Sequence, residues 1–362
     1  MARGYNAMAD VLKTTIDGQD LNDIWAEFQE TLDLQNDAQT ALASLFTFDT
    51  TLAAELVAQS FGGDDFEKAS EYGVPTSLRP TSELVKMGYP MQWYDKATRF
   101  TWRALANMSA AQVSAIHAQA LAADNRLVFK TIMQRVFNAT TTVNEDGTSV
   151  FGFWNGADGT PPDHDGDSFS PTHTHYLTSG AATVVSGDVD ELVETVAHHG
   201  FGLRANGDRI IVLANPIEAD VIAGFRVADG DKFDAIPTAE APAFITAETI
   251  QGARPPGTFN GLTVACGYGD AWVVSDRQVP IGYVVALATG GPNSDRNPLG
   301  FRQAVQPDLQ GLLQIPGGSA NYPLIDSYYS RAFGVGARQR GAGAVMQITA
   351  SGTYSAPAAY AY

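Results

Sequence analysis

Acidic and histidine side chains in one glycine-rich loop have the clearest capacity for chemistry in this sequence. Residues 163–167 are Asp-His-Asp-Gly-Asp, and His173 and His175 follow them. Carboxylates in a tight loop suit Ca²⁺, and imidazole nitrogens suit Zn²⁺. However, the spacing matches neither an EF-hand loop nor a zinc signature. A polar surface loop is therefore the favoured interpretation, and we predict no metal ligand here.

The other reactive residue types do not form a catalytic pattern. His198 and His199 end a predicted helix, where they would complement the negative end of its dipole. Cys266 lies in an apolar run and is typical of a small core residue. The glycine spacing of 252–258 resembles a phosphate-binding loop but lacks its lysine, and two prolines remove N–H donors. We predict no catalytic residue and no cofactor, and hence no enzyme.

Length and charge narrow the possible classes of protein. The chain has 362 residues and a formal net charge of −18. This charge disfavours direct binding to nucleic-acid phosphates or anionic membranes. A single cysteine is consistent with a reducing compartment. We also expect no signal peptide and no membrane-spanning segment.

A long helix is predicted from Ser109 to about Asn138, and the other elements must be arranged around it. This stretch contains no Gly or Pro, and Ser109 followed by Gln112 has the spacing of a capping box. At 1.5 Å per residue the helix would be roughly 40 Å long. We expect it to act as a spine for the surrounding sheets.

An amphipathic helix and a two-stranded excursion are predicted before the spine helix. From Asp20 onward, one helical face is apolar, with Trp25 beside it; its members are Leu21, Ile24, Phe28 and Leu32. Such a stripe docks either on its own domain or on a neighbouring subunit. Residues 60–104 alternate short β-prone pieces with Gly and Pro, and residues 88–95 suit a hairpin tip or an edge strand. An isolated ribbon of this kind is marginal in water and needs a surface to lie on.

An α/β pattern is predicted from Ser179 onward, after a polar loop at 139–175. A helix follows Ser186, and short strands are expected at 209–214, 263–267, 271–275 and 281–288. Residues 289–323 are expected to be rich in loops. Strands within 332–349 are expected to return and flank the spine helix.

This order of elements resembles the major capsid proteins of tailed bacteriophages with the Hong Kong 97-like fold. The local likeness lies in 173–201, HTHYLTSGAATVVSGDVDELVETVAHHGF, and in 322–349, YPLIDSYYSRAFGVGARQRGAGAVMQIT. Both stretches are most similar to capsid proteins of phages that infect actinobacteria. The resemblance implies an α+β fold, and by element order it covers nearly the whole chain.

The resemblance also implies a division of the chain. Residues 1–62 would be an N-terminal arm, and 63–104 an extended β-loop reaching over a neighbouring subunit. Residues 105–179 and 324–362 would form a peripheral domain around the spine helix. Residues 180–323 would form an axial α/β domain.

The implied function is structural. Copies of the chain would assemble as hexamers and pentamers into the icosahedral head shell that encloses phage double-stranded DNA. The implied location is the virion, after assembly in the cytoplasm of the bacterial host. A separate scaffolding protein and a portal are the expected partners, and a decoration protein is an optional further one. No specific nucleic-acid site and no membrane are expected.

Some members of this family link a lysine of the extended loop covalently to an asparagine of another subunit. Lys86 and Lys96 would be the lysines available here, and Asn293, Asn297 or Asn321 the acceptor. We favour a shell without this covalent bond, because no carboxylate to assist it can be placed.

Contacts between subunits are predicted from the apolar stripe and from a split in charge. Residues 1–71 carry a net charge of −11, whereas residues 72–104 carry +3. Either these are solvated faces, or they are complementary surfaces. The predicted contact residues are Leu21, Ile24, Trp25, Phe28, Leu32, Arg79, Lys86, Trp93, Lys96, Arg99, Trp102 and Arg103.

Two other classes of protein remain as alternatives: an encapsulin-like shell around protein cargo, and an acidic α/β enzyme. The shell interpretation assumes that the first hundred residues are buried by other copies of the chain. On that assumption, a leading helix and ribbon packed on the chain's own body would require the virion-shell interpretation to be abandoned.

Overall fold

The computed structural model describes residues 12–38, 40–60, 68–69, 71–74, 84–98, 100–241, 254–317 and 324–361. Within these ranges the helices are α1 (Leu21–Asp37), α2 (Ala41–Phe46), α3 (Trp102–Asn107), α4 (Ala110–Phe137), α5 (Ser186–Ala197) and α6 (Pro216–Ala223). The strands before the long helix α4 are β1 (Thr47–Thr50), β2 (Ala54–Ala58), β3 (Leu84–Gly88) and β4 (Gln92–Thr98). No helix in the described ranges has both the length and the hydropathy needed to span a bilayer.

The strands after α4 are mostly short. They are β5 (Thr142–Val143), β6 (Ser149–Val150), β7 (Tyr176–Thr178), β8 (Arg209–Ala214), β9 (Ile236–Pro237), β10 (Thr258–Phe259), β11 (Leu262–Tyr268), β12 (Ala271–Ser275), β13 (Tyr283–Thr289), β14 (Leu299–Gln303), β15 (Leu312–Ile315), β16 (Ser327–Ala337) and β17 (Gly343–Gln347). Strands β14 and β15 lie in the segment that was expected to be rich in loops. The sequence pattern did not predict them because their apolar runs are too short to show a clear alternation.

The chain divides into two compact units. The first contains the described residues of Met1–Thr40, Met91–Thr131 and Arg302–Gly334. The second contains those of Ala41–Pro90, Ile132–Phe301 and Val335–Tyr362.

Helix α4 begins as predicted, with the capping box formed. The Gln112 amide N–H donates to Ser109 Oγ at 3.3 Å, and the Ser109 amide N–H donates to Gln112 Oε1 at 3.0 Å. These two bonds satisfy donors that the helix itself leaves unpaired.

In the first unit, the apolar stripe of α1 is covered by the same chain. Leu21, Ile24 and Phe28 form a core cluster with residues that include Phe100 and Val113. Leu32 packs in a second cluster with Leu312 and Tyr329. The stripe therefore docks on its own domain, which was one of the two alternatives. The assumption that this helix is buried by other copies is wrong.

The sheet of the first unit contains β4, so residues 92–98 are an edge strand and not a hairpin tip. Strand β16 pairs antiparallel with β15, where Leu312 lies opposite Arg331. On its other side β16 pairs antiparallel with β4, from Thr98 opposite Ser327 to Gln92 opposite Phe333.

The second unit is built on a large mixed sheet with the strand order β10-β11-β12-β8-β13-β17-β7, and β9 pairs with β11. Its core includes the apolar faces of α5 and α6, such as Val189, Leu192 and Ile222. Strand β17 lies inside this sheet, antiparallel to β13 and parallel to β7. Strand β17 is fully buried from Gly343 to Met346, as suits a central strand. That strands within 332–349 flank the spine helix stays a prediction.

A two-stranded ribbon also belongs to the second unit. Strands β2 and β3 pair antiparallel, from Ala54 opposite Gly88 to Ala58 opposite Leu84. The ribbon thus begins within the segment predicted to be the N-terminal arm. Its inner side chains, Val57 and Met87, are buried in a small cluster with Tyr89.

Candidate assembly surfaces and a histidine cluster

The predicted contact residues fall into three groups. Arg79 and Arg99 lie outside the described residues. Leu21, Ile24, Phe28 and Leu32 are buried in the chain's own core, and Trp25 is partly buried against it. The first four therefore have no surface left for another subunit. The residues of the set that are exposed are Lys86, Trp93, Lys96, Trp102 and Arg103.

Two exposed tryptophans mark the surface of the first unit. Trp93 on β4 is 58% exposed, and Trp102 at the start of α3 is 41% exposed. The Arg103 guanidinium lies 5.4 Å from the centre of the Trp102 ring. Trp and Arg are enriched in protein interfaces, so this surface has the composition of a contact site.

A groove of about 680 Å³ lies beside β4 in the same unit. Its lining includes Lys96 and Phe100, and Ile116, Ala120 and Arg126 of α4. The lining combines apolar side chains with two cations, which suits an acidic, partly apolar segment.

Four histidines converge in the second unit, and this is the feature that the sequence analysis missed. The Nε2 atoms of His173, His175 and His199 lie 3.0–3.2 Å from one another. One ring nitrogen of His198 completes a group of four atoms that all lie within 4.8 Å of one another. Four such nitrogens could hold a metal ion.

Two segments position these side chains, the loop before β7 and the end of α5. His173 and His175 precede β7, and the His175 amide N–H donates to the Trp154 carbonyl at 2.7 Å. His198 and His199 follow α5, whose end is marked by Gly200 at a φ of +79°. A Cβ at position 200 would lie 2.3 Å from His164 Nε2, so only glycine fits there.

The environment of the cluster favours neutral imidazoles. Burial lowers the pKa of His173 to about 4 and lowers the pKa of His175 and His199 further, with mutual repulsion adding to the effect. Burial also lowers the pKa of His198, although the charge of Asp167 opposes the shift. Neutral rings would complement a helix dipole poorly, and the dipole role of His198 and His199 stays a prediction.

The polar-loop interpretation holds for Asp163, Asp165 and Asp167, which are exposed, but not for His175. His175 is fully buried, and the Phe169 ring stacks on His199 with ring centres 4.1 Å apart. A His-x-His pair and a His-His pair are separated by more than twenty residues of loop and helix. The signal in the sequence was therefore two pairs of histidines, each ambiguous alone.

Comparison with known proteins identifies the family to which this fold belongs. Neither a protein-family model nor a curated protein sequence matches the chain. A solved structure from Mycobacterium phage Patience is 37% identical, covers 99% of this chain and 97% of its own, and superposes with a TM-score of 0.70. The chain belongs to the family of Hong Kong 97-like major capsid proteins of tailed bacteriophages, which build icosahedral head shells and reside in the virion capsid. The expectation that a leading helix packed on its own chain rules out a shell protein is therefore wrong.

Other solved structures are more distant. The capsid of an empty GTA particle is 16% identical, covering 86% of this chain and 91% of its own, with a TM-score of 0.45. The holo-SrpI encapsulin complex from Synechococcus elongatus is 10% identical, covering 91% of this chain and 97% of its own, with a TM-score of 0.46. Neither adds to the assignment, which depends on the phage Patience structure.

Proposed function

We propose that this capsid protein forms the shell as pentamers and hexamers, acts only as a structural protein, and uses its exposed β4 and α3 surface to contact neighbouring copies. The observation that carries the shell function is 37% identity over 99% of the chain to a phage structure. Assembly takes place in the host cytoplasm, with a separate scaffolding protein, a portal and, as an optional further partner, a decoration protein.

The exposed aromatic and basic residues support the contact surface. Trp93, Lys96, Trp102 and Arg103 are all exposed in the first unit. The segment formed by residues 1–71 has the opposite charge, with a net value of −11. We propose that the acidic segment of one copy docks against the basic surface of the next. The division into arm, extended loop, peripheral domain and axial domain remains a prediction.

We also propose that the shell is held together without covalent links. Asn297 is fully buried, and its side-chain amide donates to the carbonyls of Thr47 and Gly291 at 2.8 and 3.0 Å. It is therefore unavailable as an acceptor for a lysine. Asn321 lies outside the described residues. Boiled, reduced particles should run on a denaturing gel as single chains, and a ladder of multimers would contradict this proposal.

Electron microscopy of purified particles tests the function directly. The chain expressed with its scaffolding protein should form closed shells of uniform size, whereas the chain alone should form irregular shells or free capsomers. Particles that contain only cargo protein would support the encapsulin alternative. A molecule that stays monomeric under both conditions would contradict the shell function.

A further inference from the structure

We propose that His173, His175, His198 and His199 form a binding site for one divalent transition-metal ion, with Zn²⁺ the best fit, that clamps the loop before β7 to the end of α5. This inference does not depend on the shell function. It follows from the geometry, the proton positions and the burial of the four rings.

The spacing of the nitrogens fits tetrahedral zinc. Bonds from Zn²⁺ to histidine are about 2.0–2.1 Å long, so two nitrogens of a tetrahedral site lie roughly 3.3 Å apart. The three Nε2 atoms of His173, His175 and His199 are separated by 3.2, 3.1 and 3.0 Å. A shift of a few tenths of an ångström would bring them to the required spacing.

A carbonyl fixes the proton of His175. His175 Nδ1 lies 2.7 Å from the Gly343 carbonyl oxygen, which can only accept a hydrogen bond, so Nδ1 carries the N–H. A neutral imidazole has one N–H, and the Nε2 atom of His175 therefore presents a lone pair to the cluster. A ring nitrogen that donates to a carbonyl while the other faces its partners is the usual arrangement of a zinc-binding histidine.

Hydrogen bonds among the rings cannot satisfy the cluster. With a lone pair on His175, any placement of protons on His173 and His199 leaves one pair of Nε2 atoms with two lone pairs or two hydrogens facing each other. In addition, His198 Nε2 is buried and has no hydrogen-bond partner among the described residues. A cation between the four nitrogens would remove both problems, because each nitrogen would donate a lone pair.

The surroundings suit a closed structural site. His175 and His199 are 0% and 2% exposed, and the Phe169 ring centre lies 5.0 Å from those of His173 and His198. The Asp167 carboxylate acts on His198 and would partly balance a dication, whereas the Arg340 guanidinium acts on His175 with the opposite sign. Four protein ligands and no open position indicate a structural and not a catalytic role. Imidazole ligands also suit Cu²⁺ and Ni²⁺, and the geometry of the bound ion distinguishes them.

The test uses the untagged, full-length chain, freed of metal with a chelator and dialysed. Titration with Zn²⁺ in a calorimeter should show one ion bound per chain. Titration with Co²⁺ should give the intense visible absorption of a tetrahedral site, and Zn²⁺ should raise the unfolding temperature. A folded wild-type chain that binds no Zn²⁺ would overturn the inference.

Two variants in the same loop sharpen the test. His173→Asn removes one ligand and should weaken Zn²⁺ binding by more than the roughly 10–100-fold typical of changes outside the ligand shell. His164→Asn changes a half-buried histidine of the loop that is outside the four, and should bind as the wild type does. Equal affinity of His173→Asn and wild type would contradict the site. If His173→Asn does not fold, His198→Asn replaces it with the same expectation.

Discussion

At the scale of single residues, the position that most needs polar partners inside the protein is that of a buried arginine. Arg340 is 1% exposed and lies between aromatic rings, with its guanidinium 3.9 Å from the centre of Trp154 and 4.6 Å from that of Phe151. It forms an ion pair with Asp158 and donates to the Gly152 carbonyl at 3.1 Å. Burial lowers the pKa of Arg340, and the Asp158 carboxylate opposes that shift.

Arg340→Met should lower the free energy of unfolding by about 3–5 kcal/mol, because the carboxylate and carbonyls lose their partner inside the protein. Arg340→Lys should recover only part of this, since lysine lacks the planar fork. The matched control is Arg204→Met, which breaks an exposed ion pair with Asp270 and should cost about 0–1 kcal/mol. Urea unfolding of each variant measures these values, and equal losses for Arg340→Met and Arg204→Met would contradict the role of Arg340.

A second residue gives the protein a dependence on pH. His117 lies in the first unit, stacked on Phe28 with ring centres 4.0 Å apart, and it contacts the hydroxyls of Thr31 and Tyr329. Burial lowers the pKa of His117 to about 4. In the unfolded chain a histidine pKa is about 6.5, so the unfolded state binds more protons between these values.

The contribution of His117 to stability is therefore complete above about pH 6.5 and is lost as the pH falls toward 4. His117→Gln should flatten the fall in the free energy of unfolding between pH 7 and pH 4. The difference between the two profiles isolates His117, because the other histidines are common to both chains. Parallel pH profiles for the variant and the wild type would show that His117 is protonated equally in the folded and unfolded states.

At the scale of elements, α1 shows that an apolar stripe can be buried by its own chain. Ile24 is fully buried in that stripe, whereas Leu34 on the same helix is 64% exposed. The Asp20 side chain starts the helix by accepting from the Asn22 amide N–H at 2.8 Å. The cap and the buried row together fix the position of α1.

Ile24→Ala should destabilise the chain by about 2–5 kcal/mol, because it leaves a cavity in the core of the first unit. Leu34→Ala should change stability by less than about 0.5 kcal/mol, since the side chain is already in water. Both substitutions introduce alanine into the same helix, so their helix-propensity effects differ by only a few tenths of a kcal/mol. Thermal unfolding measures both, and a small effect of Ile24→Ala would mean that the stripe is not covered by its own chain.

At the scale of the whole molecule, assembly should depend on side chains that do not stabilise the single chain. Trp93→Ser should leave the unfolding temperature of the subunit unchanged but reduce the yield of closed shells, because an exposed aromatic anchor is lost from the contact surface. Val305→Ser is the control, since Val305 is 75% exposed and lies outside the predicted contact set. Sedimentation of assembly reactions measures the yield, and equal yields for the two variants would remove Trp93 from the contact surface.

The sequence by itself determined the elements whose signals are local. Ser109 and Gln112 fixed the start of α4, the spacing of Leu21, Ile24, Phe28 and Leu32 fixed the buried face of α1, and the apolar run at 209–214 fixed β8. These patterns depend on caps and periodicities within a few residues. The order of such elements was also sufficient to indicate the capsid family.

Only the tertiary structure decided which distant residues meet. The core that covers α1, the place of β17 inside the large sheet and the meeting of His173 and His175 with His198 and His199 all join segments far apart in sequence. No local pattern specifies such a contact, because each partner alone is compatible with several environments. The folded chain selects one of them by burying apolar surface and pairing polar groups at the same time.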